Sequence, residues 1–236
     1  MKFIPILFST PMVQAIQEGR KTITRRMAKL ELINKEPDNL RYVCNTNDDY
    51  FIDRPAIKYD DRVWYQWHRF NTNEFTYVVR CPYKIGDILW VRETFYAFGK
   101  WVKNGKTKSG KQKYKFIDCT SSNGFSYQYA DTVKENINPL GISTKKDGVI
   151  RWYKRPSLFM PKAACRIFLK ITGVKVERVQ SITGIDAVKE GVRSRLPENG
   201  IAQQEFADLW QSINGVDSWY SNPLVWCISF EKISKT

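Results

Sequence analysis

The stretch Gly19-Arg20-Lys21-Thr22-Ile23-Thr24-Arg25-Arg26 places four cations around two hydroxyl groups within eight residues. Its β-branched residues alternate with cations, a pattern that predicts a short strand. Gly19 predicts the end of a preceding helix, which Thr10 can cap and whose first turn suits Pro11. Residues 2–8, ahead of this helix, are rich in strand-forming residues. The amino-terminal part of the chain is therefore predicted to run strand, helix, strand.

Further strand patterns occupy residues 88–91, 163–179 and 223–233. Two helices are predicted between the last two of these. Thr183 caps the first, which ends at Gly191, and the second ends at Gly215. Strands outnumber helices, so the predicted fold class is α+β, in which the strands form a mixed β-barrel and the helices lie at its periphery.

Composition predicts a folded protein with an anionic partner. The chain has 236 residues, of which 42% are hydrophobic, enough for a substantial core. Lys and Arg number 38 against 24 for Asp and Glu, which gives a net charge of +14. No apolar run approaches the roughly 18 residues of a membrane span, so we expect a cytoplasmic protein with no membrane contact.

Histidine and cysteine usage disfavours several classes of site. His68 is the one histidine, so Ser-His-Asp triads, Cys-His dyads and histidine-rich metal sites would all depend on it. It lies in an alternating aromatic run, residues 63–69, which predicts a strand and a structural role. The five cysteines are scattered and form no C-x-x-C pair. The sequence therefore predicts no disulfide framework, no metal site and no cofactor.

Lys21 and Glu190 are the two ionisable groups whose positions suggest chemistry. The cations around Lys21 favour loss of its proton if it is desolvated, and a neutral Lys21 could activate a neighbouring threonine as a nucleophile. The alternative is a basic strand that grips phosphate. Glu190 lies in the last turn of a predicted helix, where the helix dipole disfavours an anion by about 0.3–1 kcal/mol. Its alternative is a solvated carboxylate beside Lys189.

Four motifs in the same order resemble an ASCH domain of the PUA-like superfamily. They are G-R-K-T-x-T-x-R from Gly19, G-D-x-x-W-V-R-E-T at residues 86–94, W-x-K-x-P-S-x-x-M-P at residues 152–161 and N-P-x-V-W at residues 222–226. The third is similar to a segment of longer, bacteriophage-encoded members. The resemblance implies a single PUA-like (ASCH) domain over residues 1–236, a mixed β-barrel with two insertions at about 27–80 and 99–148.

The family's small amidohydrolases remove the acetyl group from acetylated cytidine. By resemblance, the catalytic residues would be Lys21 as proton acceptor, Thr24 as nucleophile and Glu190 as proton donor, with Glu93 as the alternative acid. The implied function is metal-independent hydrolysis of an acylated nucleobase or nucleoside. The alternative is a non-catalytic module that binds RNA, DNA or a modified base. Nuclease activity is a third possibility, but the sequence has no paired carboxylates at metal-binding spacing to support it. A fourth is binding to a host protein, which no residue pattern tests.

The expected partner is a nucleic acid, RNA being favoured over DNA, or a nucleoside, in the bacterial host cytoplasm if the chain is phage-encoded. The sequence predicts no oligomeric state. Three groups of residues are candidates for binding: cations and a carboxylate beside the catalytic motifs, an aromatic and cationic cluster, and a lysine-rich segment that is either an exposed hairpin or a mobile loop. They are Arg20, Arg25, Arg26, Arg92 and Glu93; Trp152, Lys154, Arg155 and Ser157; and Lys106, Lys108, Lys111 and Lys113.

Overall fold

The computed structural model describes residues 1–35, 40–45, 64–69, 75–132, 148–193 and 200–234. The described strands are β1 Phe3–Leu7, β2 Ile23–Arg26, β3 Leu40–Asn45, β4 Trp64–Arg69, β5 Phe75–Arg80, β6 Ile88–Arg92, β7 Phe95–Lys106, β8 Gln112–Asp118, β9 Gln128–Tyr129, β10 Arg151–Arg155, β11 Phe168–Arg178 and β12 Leu224–Ile233. The described α-helices are α1 Thr10–Gln17, α2 Gly184–Lys189 and α3 Ile201–Asn214. The α+β class and the amino-terminal order of strand, helix and strand are confirmed.

The described strands form three sheets. Their orders are β1-β6-β11-β12-β2, β10-β7-β8 with β9 paired to β7, and β3-β4-β5. Each order is open, so the described strands are not closed into the barrel that the sequence predicted. In the largest sheet β1 and β2 stand at the two ends of the order, whereas a closed barrel needs its end strands to pair with each other. The structure therefore supports the coarser α+β description.

The chain divides into two compact units, each assembled from separate stretches of sequence. The first unit takes in residues 1–3, 15–89 and 169–233, and the second takes in residues 4–14, 90–168 and 234–236. Parts of both expected insertions, 27–80 and 99–148, lie outside the described residues. The single-domain organisation stays a prediction.

The first unit packs α2 and α3 around one apolar cluster. Its buried members are Val179, Ile182, Ala187, Val192, Ala202, Phe206, Trp210 and Val225. On α3, Ala202, Phe206 and Trp210 recur at a spacing of four residues and so share one face. The Thr183 side chain accepts a hydrogen bond of 3.1 Å from the Asp186 amide and thereby caps α2. The cap sets where α2 begins, and Glu190 lies at the other end of the helix as its C-terminal cap.

The second unit contains the predicted lysine-rich hairpin, formed by β7 and β8. Trp101 lies directly opposite Phe116 in this antiparallel pair. Of the two dipeptides in this segment that are typical of turns, Asn104-Gly105 and Ser109-Gly110, only the second forms one: the turn lies between Thr107 and Lys111. Gly105 instead occupies a register shift within the strand pair, with a positive φ of 68°. A β-bulge accommodates the extra residue, and glycine adopts its left-handed backbone conformation without strain.

Among the helices in the described part of the chain, none has the length and apolar character to cross a membrane. His68 lies on β4, so the strand predicted for its aromatic run is confirmed, while its side chain lies outside what the structure describes.

Candidate functional site

The amine of Lys21 is buried at the junction between α2 and the start of β2. Its Nζ donates to Glu190 Oε2 at 2.6 Å, to the Glu190 carbonyl oxygen at 2.6 Å and to the Ile23 carbonyl oxygen at 2.9 Å. The amide of Thr22 donates to the Lys189 carbonyl oxygen at 2.9 Å and holds the two segments together. The three acceptors match the three N–H groups of an ammonium ion. The fold thus brings together two residues that are 169 positions apart.

Glu190 accepts hydrogen bonds from two cations. Besides Lys21, the Arg25 guanidinium donates to Glu190 Oε1 at 3.1 Å. Glu190 is the C-terminal cap of α2 and only 4% exposed, so neither the helix dipole nor water stabilises its charge. The two cations are what keep a carboxylate at this unfavourable position. The alternative of a solvated carboxylate beside Lys189 does not describe it.

Arg25 extends the cluster toward α3. Its guanidinium donates to Glu177 at 2.6 Å, approaches Asp186 at 3.6 Å and lies 5.7 Å from the ring centroid of Phe206. Arg25 is 2% exposed. This burial argues against the direct nucleic-acid contact expected at Arg25, because both of its terminal nitrogens already donate to carboxylates of the protein. Arg25 instead positions the carboxylate of Glu190.

Burial lowers the pKa of Lys21, and this outweighs the opposing attraction of Glu190. The charges of Arg26 and Arg25 lower the pKa further. Desolvation also lowers the pKa of Arg26. Lys21 therefore loses its proton more readily than a solvent-exposed lysine, although its hydrogen bonds suit the protonated form. A proton can pass directly between Lys21 Nζ and Glu190 Oε2 across their 2.6 Å contact.

Thr24 is buried in β2, where it lies opposite Ile228 of β12. Successive side chains of a strand point to opposite faces, so Thr24 and Arg25 face different sides of the sheet. The ion-pair cluster is built from Lys21, Arg25 and Glu190, and Thr24 is assigned to it by resemblance rather than by a measured contact. Cys227, opposite Arg25, is no rival nucleophile, because burial raises the pKa of its thiol to about 12.

Glu93, the alternative acid, belongs to a different ion-pair cluster in the second unit. Arg166 donates to both of its carboxylate oxygens at 2.8 Å and also donates to Asp131 at 2.5 Å. Burial raises the pKa of Glu93, against the opposing effect of its bonds with Arg166. A bidentate arginine pair of this kind holds the carboxylate in one orientation. Glu93 is therefore paired with Arg166, whereas the amine of Lys21 is paired with Glu190.

The other candidates beside the motifs are tied down by local contacts. Arg20 forms an ion pair with Glu18 and donates to the Gly191 carbonyl oxygen at 2.9 Å. Arg92 donates to the Leu158 carbonyl oxygen and lies 5.4 Å from the ring centroid of Trp90.

The aromatic and cationic cluster falls within the second unit. Trp152 packs against Phe98 and Phe125, while Ser157 begins a short 3-10 turn. Lys154 and Arg155 line a cavity of about 460 Å³. The hairpin lysines 106, 108, 111 and 113 are exposed. The structure thus gathers Lys154 and Arg155 in one pocket and leaves Trp152 in a neighbouring ring cluster.

Sequence reasoning missed the aromatic walls of this pocket. Trp101 and Phe116 face each other across the hairpin at 5.3 Å between ring centroids, and Tyr153 lies 5.6 Å from Phe116. The alternation of aromatic and basic residues in 100–116 was the available signal, because residues of one parity share a strand face. It also missed Glu177, whose carboxylate shares Arg25 with Glu190.

Among the residues that the structure describes, no group of three or more His, Cys, Asp or Glu side chains is arranged to hold a metal ion. Comparison with known proteins finds no matching family model, no matching curated protein and no matching solved structure.

Proposed function

We propose that this chain is a long ASCH-type, PUA-like protein that hydrolyses the acyl amide of an acylated nucleobase or nucleoside. Lys21, Thr24 and Glu190 would be the catalytic residues. The observation that carries the proposal is the buried 2.6 Å contact between Lys21 Nζ and Glu190 Oε2. The contact brings a base and an acid together, and amide cleavage uses both, since one proton must leave the nucleophile and another must reach the departing amine.

The reaction begins from the form in which Glu190 holds the shared proton and Lys21 is neutral. Thr24 Oγ1 attacks the acyl carbon, and its proton passes to Lys21 Nζ. Glu190 gives its proton to the amide nitrogen as the C–N bond breaks, which releases the free amine and leaves an acyl ester on Thr24. Water hydrolyses this ester to the carboxylic acid, and a proton returns from Lys21 to Glu190 across their hydrogen bond.

Arg25 supports this chemistry as a positioning residue. It holds Glu190 Oε1 at 3.1 Å, which leaves Oε2 directed at Lys21. Its charge also lowers the pKa of Lys21, as does that of Arg26. The charges of Arg25 and Arg26 thus favour a neutral amine, whereas Glu190 opposes its formation.

The experiment is incubation of the purified protein with N4-acetylcytidine, with chromatographic measurement of the cytidine released. Thr24→Val is the sharpest variant, because it removes the hydroxyl and keeps the shape of the side chain. We expect it to lose activity by about 10²-fold or more. Thr22→Val is the matched control, two positions along the same segment, and it should retain activity.

Lys21→Met and Glu190→Gln test the base and the acid, with losses of about 10²–10⁴-fold expected for each. Lys189→Gln, which changes an exposed neighbour of Glu190, should hydrolyse at the wild-type rate. Equal turnover by wild type and Thr24→Val would refute the nucleophile assignment. A folded wild-type protein that releases no cytidine would reject this substrate and favour the non-catalytic binding module.

A further inference from the structure

Arg155 of the second unit is a buried cation surrounded by aromatic rings. Its guanidinium carbon lies 4.4 Å from the ring centroid of Phe116, 4.7 Å from that of Trp101 and 5.2 Å from that of Phe159. The residue is 8% exposed. Cation–π contacts of this kind stabilise the charge but do not satisfy its five N–H donors.

Within the described residues, no acceptor is hydrogen-bonded to Arg155 and no carboxylate forms an ion pair with it. Asp118 acts on Arg155 only through space, and its two carboxylate oxygens accept hydrogen bonds from Thr120 and Tyr127. Burying a charge without a hydrogen-bonded partner is unfavourable. The donors of Arg155 are thus available to an anionic or carbonyl-bearing ligand from outside the chain.

The cavity that Arg155 lines has the size and chemistry for a nucleotide. Its volume of about 460 Å³ falls in the range of small-ligand pockets. Tyr114 and Phe159 add aromatic surface, and Phe159 is 59% exposed, so a flat ring can reach it from solvent. Lys115 and Lys154 add two exposed cations at the lining. Stacking surface beside cations is the combination that holds an unpaired base and its phosphate.

The hairpin that forms one wall extends this charge away from the cavity. Between residues 100 and 115 the sequence has seven lysines and no acidic residue. Six of them are exposed, at positions 103, 106, 108, 111, 113 and 115. Such a row suits a polymer of phosphates better than a single free anion, because one anion can neutralise only the nearest cations.

We infer that the second unit binds single-stranded nucleic acid, with one base held in the cavity beside Phe159, Arg155 donating to a phosphate or base oxygen, and the hairpin lysines contacting the phosphates that follow. A base must be unstacked to enter this cavity, so a duplex is a poor ligand. The inference involves none of the residues proposed for hydrolysis and does not rest on that activity.

The test is fluorescence polarisation with a labelled oligouridylate of roughly 12 nucleotides, its deoxythymidylate counterpart and a duplex of the same length. Phe159→Ala is the first variant, because its exposed side chain can be truncated without threatening the fold. We expect it to weaken binding by roughly five- to 100-fold, the effect of losing one stacked base. Arg155→Gln should weaken binding by about tenfold or more.

Lys170→Gln is the matched control for charge, since it removes one exposed cation from the first unit. It should alter affinity less than twofold or so. Each phosphate contact with a single strand contributes about 0.7 to the slope of log affinity against log salt. Combined replacement of Lys108, Lys111 and Lys113 by Gln should therefore reduce this slope by about 2. Preference for the RNA or for the DNA strand would support the inference and identify the sugar.

Tighter binding of the duplex than of either single strand would overturn the inference. So would wild-type affinity in Phe159→Ala, or an effect of Arg155→Gln no larger than that of Lys170→Gln. Thr24→Val, which leaves the ion pair of Lys21 and Glu190 in place, should bind the oligonucleotide as the wild type does. Failure of N4-acetylcytidine hydrolysis is therefore distinguishable from failure of this site.

Discussion

Replacement of Glu190 by Gln should destabilise the first unit substantially. The change keeps the shape of the side chain but removes the negative charge that Lys21 and Arg25 share. Arg25 keeps Glu177 at 2.6 Å, whereas Lys21 is left with neutral acceptors. Breaking a buried ion pair from one side costs about 3–5 kcal/mol. For a chain of this size that corresponds to a fall in melting temperature of about 6–20 °C.

The free energy of unfolding can be measured by urea titration, followed by circular dichroism. Lys189→Gln, which changes the charge by one unit at an exposed site, should stay within about 0.5 kcal/mol of wild type. The double variant Lys21→Met/Glu190→Gln buries neither charge of the pair. It should therefore be more stable than the sum of the two single losses implies, by about 1–3 kcal/mol.

A loss below about 1 kcal/mol in Glu190→Gln, or strict additivity in the double variant, would refute the reasoning. Either result would mean that Lys21 and Glu190 do not interact as a buried pair. The hydrolytic proposal would then lose the contact on which it depends.

Other consequences concern the pH profile, the hairpin and the cap of α2. The proposed reaction needs the one proton that Lys21 and Glu190 share, so kcat/KM for N4-acetylcytidine should fall as pH rises through the pKa of Lys21, which burial lowers from its usual 10.5; a profile that stays level up to pH 10.5 would contradict this. Gly99→Ala should destabilise the hairpin by about 1–3 kcal/mol in thermal melts, because a Cβ would lie 2.2 Å from the Ile117 carbonyl oxygen. Gly105→Asn, at a bulge with open space and φ of 68°, should cost less than about 1 kcal/mol, and equal costs would argue against this packing. Thr183→Ala should cost about 1 kcal/mol by removing the cap hydrogen bond to Asp186, and an unchanged urea midpoint would count against that cap.

Local sequence signals predicted α1 and β2, which flank Lys21, and α2, whose C-terminal cap is Glu190. Thr10 marks the start of α1, β-branched residues predict β2, and the cap at Thr183 begins α2. Each signal depends on side chains within a few residues of the element, so no knowledge of the rest of the chain is needed. Closure of the sheets was not predictable in this way, because it depends on whether the outer strands of the order pair with each other.

The roles of individual cations were harder to predict. Arg25 and Arg155 both occur in basic stretches, and both were expected to contact a nucleic acid. Arg25 is instead buried and paired with Glu177 and Glu190, while Arg155 is enclosed by rings and keeps its donors available. Strand parity assigns each side chain to a face, but what covers that face comes from residues far away in sequence.

By itself, the sequence determined the α+β class, the strong positive charge, the lysine-rich segment and the three candidate residues Lys21, Thr24 and Glu190. Only the tertiary structure decided that Lys21 and Glu190 meet at 2.6 Å across 169 residues, and that Arg155 lies within an aromatic enclosure. The physical reason is that charge and local propensity belong to individual residues and their near neighbours. Burial and ion pairing, which set the pKa of Lys21, arise only when distant segments pack together.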